Sequence, residues 1–354
     1  MYIIIFCCSE SLEKIKKYIN ILTFMLQNRI ISGLDVMKFV MAILIVDVHV
    51  KGYLFFPIPI QNNLIHPIES LTVPTFFVIS SFLFFRKVRD AEHQLQLVLH
   101  FAKRLALLYA FWCLLWSPII FLQKEYFHPM TIWIPLFMLR DFFLGSMFDA
   151  SWFLGALLVG VPLVWCLSCL LKKDIFVIIV PLIAYLYLQN LDNFPEELCA
   201  FYYWYNTFEL PQLSFMGGLL WIAVGYLLAN KKSIAWMNCV SNKWAWIIFL
   251  VCFVWRSYFP MMQLLPNVFC VVALFIAAYT LKLPEHPKLY RRFRTYSILF
   301  YVIHDCFKKI PKLLFGWENG PLLFVVTLAF CFLASELIMR MKDVKGFGWL
   351  RYAY

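Results

Sequence analysis

Charge is scarce in this chain. Asp, Glu, Lys and Arg make up 14% of its 354 residues, 63% are hydrophobic and the mean hydropathy is +0.77; an ordinary soluble domain is about a quarter charged. That balance excludes a soluble globular protein and implies a polytopic membrane protein. Glycine is sparse as well, with 12 residues. No glycine-rich phosphate loop, Gly-x-Ser-x-Gly elbow or His-Glu-x-x-His pair occurs, which removes three common sources of chemistry. Eleven cysteines give no disulfide framework. Cys113, Cys166, Cys169, Cys252, Cys270 and Cys331 fall in apolar runs and read as small buried hydrophobes. Cys166-x-x-Cys169 has no second pair, so no metal is expected. The apolar run Tyr2 to Cys8 is too brief to span a bilayer and follows no basic region, so no cleaved signal peptide is expected.

Long apolar runs are abundant. Stretches of the length a bilayer requires lie near 34–55, 70–86, 101–123, 151–171, 174–190, 213–229, 243–259, 263–281, 294–312 and 320–339. The fold expected is an all-α polytopic membrane helix bundle of about ten transmembrane helices. The run 131–145 is interrupted by Arg140 and Asp141 and reads as an interfacial or re-entrant piece. Basic residues mark the cytoplasmic loops. With the N-terminus inside, most of the Lys and Arg fall on the inner side, and Lys51, Lys124, Arg140, Arg256, Lys308, Lys309 and Lys312 on the outer. Both termini are then cytoplasmic. The net charge of +11 follows from topology and calls for no nucleic acid. The expected organisation is a short cytoplasmic segment over 1–29, a membrane domain over 30–340 and a cytoplasmic tail over 341–354.

The outer loop 190–212 holds Asp192, Glu196, Glu197 and Glu209 beside Phe201-Tyr202-Tyr203-Trp204-Tyr205. Rings next to carboxylates suit carbohydrate; they equally suit an interfacial aromatic belt.

Ionisable groups inside the spans carry the chemistry, because they are expensive there unless they face protein or water. His49 lies far into the first span. Lys38 precedes it by eleven residues, about three helical turns or roughly 16 Å along the axis, so the two share a face, and Asp35 joins that face one turn earlier. Asp47, two residues before His49, points elsewhere. A second histidine, His304, sits midway along the ninth span with Tyr301 one turn before it. Neutral imidazole is the commonest general base near neutral pH.

These residues occur in a recognisable order. Leu34-Asp35-x-x-Lys38 leads to His49, then to Val73-Pro74-Thr75-Phe76-Phe77-Val78-Ile79-Ser80-Ser81-Phe82-Leu83. Lys103-Arg104 with Tyr109 and Trp112, Ser151-Trp152-Phe153-Leu154, Gly225-Tyr226-Leu227-Leu228 and Tyr301-Val302-Ile303-His304 follow. The series resembles the acyltransferase 3 family of integral membrane acyltransferases over about residues 30–340.

The resemblance implies transfer of an acyl group, usually acetyl, from cytoplasmic acyl-CoA to a hydroxyl of an acceptor at the outer face. The acceptor class is a surface polysaccharide, a lipid-linked sugar or a related envelope glycan, and the setting is a bacterial inner membrane. His49 matches the family's essential histidine, the base for the acceptor hydroxyl or the relay for the acyl unit. Lys38 and Arg104 are the expected donor-side contacts. His304, Tyr301, Trp152 and Asp35 complete the expected site, with acetyl-CoA as co-substrate and no metal.

Three features depart from the pattern. Ser81 stands where Gly is usual, which questions the local turn; apolar residues at 106–108 replace a second Arg; and no soluble domain is expected after the membrane body. The rival reading is a transporter or flippase for a glycan or lipid-linked intermediate, with His49 and His304 relaying protons. Transporters often carry internal repeats and Gly/Pro-broken spans, and the scarcity of glycine and lack of a clear repeat favour the enzyme.

Overall fold

Every regular element in the computed structural model is a helix among the residues it describes, 31–258 and 264–354. The segment expected over 1–29, with its basic residues, lies outside them. In chain order the longer helices are α1 (Ser32–Val50), α2 (Thr72–Val88), α3 (Gln94–Leu115), α4 (Ser117–Gln123), α5 (Ile134–Leu144), α6 (Trp152–Leu171) and α7 (Asp174–Gln189). They continue with α8 (Glu196–Asn206), α9 (Phe215–Leu228), α10 (Lys231–Cys239), α11 (Asn242–Tyr258), α12 (Leu264–Thr280), α13 (Pro287–Phe315) and α14 (Pro321–Met341).

Ten of these helices fall on the ten expected runs, but they are not ten equivalent rods. Among the described residues, four helical segments suffice by length and composition to cross a membrane: Ile58–Val88, Gln94–Leu115, Asp149–Leu171 and Pro321–Met341. Helices α10 and α11 make a fifth only if their 98° bend is one broken span. The others are shorter or more charged, and two of them, α9 and α1, are packed inside the protein. Helix α9 is 14 residues long and its run from Gly218 to Tyr226 is buried throughout; it contacts α2, α6 and α7. An apolar helix surrounded on all sides needs no polar face. Helix α1 carries Asp35, Lys38 and Asp47 and is wrapped by α13, α2, α12 and α14. Asp35 and Lys38 meet other helices.

The segment 131–145 forms α5, eleven residues long, about half the length a crossing needs. The two charges that interrupt its apolar run are partnered. Asp141, 1% exposed, accepts from Lys124 at 2.7 Å and Arg140 at 2.8 Å.

Ser81 sits within α2, so there is no turn at that position. Its Oγ donates to the Phe77 carbonyl at 2.7 Å. The close contact has moved to the neighbouring helix: a Cβ on Gly225 would lie 2.0 Å from Ser81 Oγ and 2.7 Å from the Val78 carbonyl oxygen. Arg89, just past α2, donates from Nη2 to both carboxylate oxygens of Asp174 at 2.8 and 2.7 Å and lies 4.0 Å over the Tyr226 ring, joining α2, α7 and α9. After α14 the chain packs back on the bundle, where the Ala353 carbonyl accepts from Trp112 Nε1 at 3.0 Å.

Candidate functional site

Two helices bring the site together. Helix α1 presents Ile45, Val48 and His49 near its C-terminal end, and α13 presents Tyr301, His304, Asp305 and Lys308. On α13 the spacing of Tyr301, His304 and Lys308 puts them on one stripe. The His49 and His304 rings lie 4.9 Å apart, tilted by 42°, and the Tyr301 ring is 6.2 Å from His304. These two helices share the most extensive contact of any helix pair among the described residues.

His49 lines a cavity of about 310 Å³ with Ile45, Val48, Trp152 and Tyr301 on one side and His66, Glu69, Ser70, Thr72 and Val73 on the other. The second wall comes from the helical turns before α2 and from its first two residues. There His66 Nδ1 lies 3.2 Å from Glu69 Oε2 and the His66 ring meets Tyr53 edge-on at 4.9 Å. The cavity thus combines apolar walls with a few convergent polar groups, the usual form of a small-molecule site. Trp152 packs on Phe77 at 5.7 Å. The Tyr301 hydroxyl donates to the Ala150 carbonyl, so its ring, not its hydroxyl, is the part left for the cavity.

His304 is fully buried. Its Nδ1 lies 2.9 Å from the Phe300 carbonyl oxygen, which can only accept, so the proton is on Nδ1 and Nε2 keeps its lone pair. Nε2 has no hydrogen-bond partner among the described residues. Beyond it lies an ion cluster. Lys308 meets Asp305 at 2.7 Å and Asp149 at 3.6 Å, and Lys309 meets the same carboxylates at 2.6 and 3.1 Å. Lys308 Nζ also lies 3.4 Å from His49 Nδ1.

Lys308 and Lys309, expected among outer loop charges, are therefore helix residues with side chains only 10% and 13% exposed. The helix runs on to Phe315, past the point where the apolar pattern fades. The i, i+3 and i, i+4 spacing of Asp305, Lys308 and Lys309 was visible in the sequence as a self-satisfying pattern. Their approach to His49, 259 positions away, had no local signal. Asp47 turns to the backbone N–H of Gly52, away from His49, as its spacing implies.

At the other end of α1, Lys38 Nζ donates to Ser80 Oγ at 3.3 Å and lies 5.6 Å over the Phe76 ring. Asp35 makes its hydrogen bonds across the helix interface: Arg294 forks onto it with both contacts at 2.8 Å. Arg294 also lies within electrostatic range of Lys38, Arg86 and Lys87, and Lys87 of Arg104. Arg104 itself is exposed on α3. The basic residues at this end form one neighbourhood. Between the two ends stand Phe76, Phe153 and Tyr301, with ring centroids 5.1 to 6.3 Å apart.

Among the described residues no group of three or more His, Cys, Asp or Glu side chains is arranged to hold a metal ion. Of the expected residues, the structure brings His49, His304, Tyr301 and Trp152 to one cavity region, places Lys38 and Asp35 near Arg294, and leaves Arg104 within electrostatic range of Lys87.

The aromatic cluster of 201–205 divides. Within α8, Phe201, Tyr203 and Trp204 are exposed, while Tyr205 is buried and donates to the Leu144 carbonyl. Glu209 receives a hydrogen bond from Ser146, and burial raises its carboxyl above the ordinary range, against the pull of that bond.

The family model for the acyltransferase domain matches residues 31–340. No curated protein and no solved structure matches the chain. The matched region contains α1 through the end of α14 but for one residue, and with it both the His49 cavity and the basic residues around Arg294. The chain belongs to the acyltransferase 3 family of membrane acyltransferases.

Proposed function

We propose that the protein transfers an acetyl group from cytoplasmic acetyl-CoA to a hydroxyl of a surface polysaccharide, lipid-linked sugar or related envelope glycan. It does so in a bacterial inner membrane, as a ten-span bundle with both termini cytoplasmic. The observation that carries this reading is His49 lining a cavity beside His304 while a basic neighbourhood occupies the other end of the same helix. Coenzyme A is polyanionic, and cations are what its phosphates require. Lys38, Arg104 and their neighbours Arg86, Lys87 and Arg294 supply them. Asp35 holds Arg294 in place.

His49 is the catalytic imidazole at the acceptor end, with His304 beside it as a secondary member of the site. Tyr301 and Trp152 shape the cavity wall, and the rings of Phe76, Phe153 and Tyr301 keep the path between the ends dry. Exclusion of water lets a sugar hydroxyl compete with hydrolysis for the acyl group. The cavity's His66 and Glu69 offer hydrogen bonds to sugar hydroxyls. The acyl donor and the carbohydrate acceptor are the only partners this chemistry needs besides the bilayer.

The test is mass spectrometry of surface glycans from cells expressing the wild-type protein, His49→Ala, or neither. Wild-type cells should show an added mass of one acetyl group that is missing with His49→Ala at equal membrane expression. An unmodified glycan in wild-type cells would defeat the reading, and acetylation by His49→Ala at the wild-type level would remove His49 from the chemistry.

A further inference from the structure

Lys308 stands in an unusual place for a lysine. Its side chain is 10% exposed, on the outer half of a helix whose neighbouring residues Val302 to Cys306 are all buried. An ammonium has three N–H donors and no acceptor. In the structure it forms ion pairs with Asp305 at 2.7 Å and Asp149 at 3.6 Å, and its hydrogen-bonding contact is to His49 Nδ1 at 3.4 Å. Lys309 binds the same two carboxylates, so the two lysines and two aspartates balance in charge.

We propose that Lys308 is a positioning residue that fixes the ring orientation and tautomer of His49. This rests on reading His49 as the reactive imidazole. Because the ammonium can only donate, His49 Nδ1 must offer a lone pair, and the proton of the neutral ring is then on Nε2. The adjacent His304 has the opposite tautomer, because its Nδ1 faces the Phe300 carbonyl. The two imidazoles 4.9 Å apart are thus set differently, one by an ammonium from the side and the other by its own helix backbone. An Nε2–H on His49 is a hydrogen-bond donor suited to the carbonyl oxygen of an incoming thioester. Lys308 acts through His49; Asp305 and Asp149 act through Lys308 by keeping it charged and aimed.

The experiment uses the full-length protein in lipid with ¹⁵N-labelled histidine, His49 being assigned by difference from His49→Gln. Nitrogen chemical shifts report which ring nitrogen is protonated. Wild type should show His49 protonated at Nε2 and His304 at Nδ1. Lys308→Met should convert His49 to a mixture of tautomers and leave His304 unchanged, whereas Lys308→Arg, which keeps a donor, should retain the wild-type pattern. In the acyl-transfer assay Lys308→Met should lower kcat by at least about tenfold, because a misoriented donor no longer stabilises the charge developing on the carbonyl oxygen, with the KM for acetyl-CoA unchanged, and Lys308→Arg should recover most of it. A wild-type His49 protonated at Nδ1, or a His49 signal that Lys308→Met does not move, overturns the proposal. The spectra stand apart from activity, so a protein that transfers no acyl group would defeat the functional reading without deciding the tautomer.

Discussion

The guanidinium of Arg294 forks onto the carboxylate of Asp35, Nε to Oδ1 and Nη2 to Oδ2, each at 2.8 Å. The pair joins the first turn of α1 to α13 across 259 positions of sequence. Asp35 is 1% exposed while the Arg294 side chain is 42% exposed, so the buried carboxylate is the member that depends on its partner. Its hydrogen bonds to Arg294 leave Lys38, one turn on, with Ser80 and Phe76 as its nearest partners. That asymmetry separates a structural charge from one available to a ligand.

Arg294→Met should therefore destabilise the protein by about 1–3 kcal/mol, the cost of stranding a buried acceptor. The partial exposure of the arginine keeps the effect below that of a fully enclosed pair. Thermal unfolding in detergent measures it, and Asp35→Asn combined with Arg294→Met should lose less than the sum of the single changes. Strictly additive losses would mean that the two side chains do not depend on each other.

Among the described residues Lys38 makes no ion pair at hydrogen-bonding distance, yet it lies within electrostatic range of Arg294 and over an aromatic face. Substitution by Arg should keep more acyl-transfer activity than substitution by Met, and the difference should appear chiefly in the KM for acetyl-CoA. Steady-state kinetics in proteoliposomes decide it. Equal losses from both substitutions would rule out a simple cationic role, because Arg retains the charge and gains a fork.

The sequence makes α1 and its chemistry unusually legible. His49 and Lys38 announce themselves by being ionisable in apolar surroundings, and their separation along one helix requires only helical geometry. The positions of the ten long helices follow from apolar runs for the same reason. What resists reading is everything that depends on which helix comes next to which. Asp35 and Lys38 are local neighbours, yet Asp35 makes its hydrogen bonds to Arg294. Lys308 and Lys309 resemble the end of a span because charge normally ends one, and only the fold shows their carboxylate partners and the imidazole beside them. His66 and Glu69 lie on short turns before α2 with no periodic pattern to place them in the cavity wall. Ser81 shows the converse: the change from glycine suggests a distorted turn, and the helix absorbs it because Gly225 provides room on the opposite face.

That packing yields a direct test. Gly225→Ala places a methyl 2.0 Å from Ser81 Oγ, 2.7 Å from the Val78 carbonyl oxygen and 2.9 Å from the Phe82 nitrogen. Two of these three neighbours are backbone and cannot swing aside, so α9 must move away from α2. Overpacking of this kind costs about 1–3 kcal/mol. The unfolding temperature should drop accordingly, and Ser81→Gly added to Gly225→Ala should recover part of the loss by removing the nearest atom. No recovery would mean that the backbone contacts set the whole penalty.

Glu209 provides the pH-dependent counterpart, away from the spans. Burial raises its carboxyl above the ordinary range in the fold, with the Ser146 hydroxyl bond and the charge of Lys124 working against that shift. A carboxyl raised on folding favours the native state most when it is protonated. Its contribution is fully present below the unfolded pKa, ordinarily about 4.3, and is lost as pH rises through the higher folded value. Glu209→Gln imitates the protonated form at every pH. The variant should therefore unfold at a higher temperature than wild type at pH 7, and the gap should close as pH falls towards 4. Unfolding temperatures of the two proteins across that range measure it; a Gln variant less stable at pH 7 would mean that the ionised carboxylate, held by Ser146, outweighs the cost of its burial.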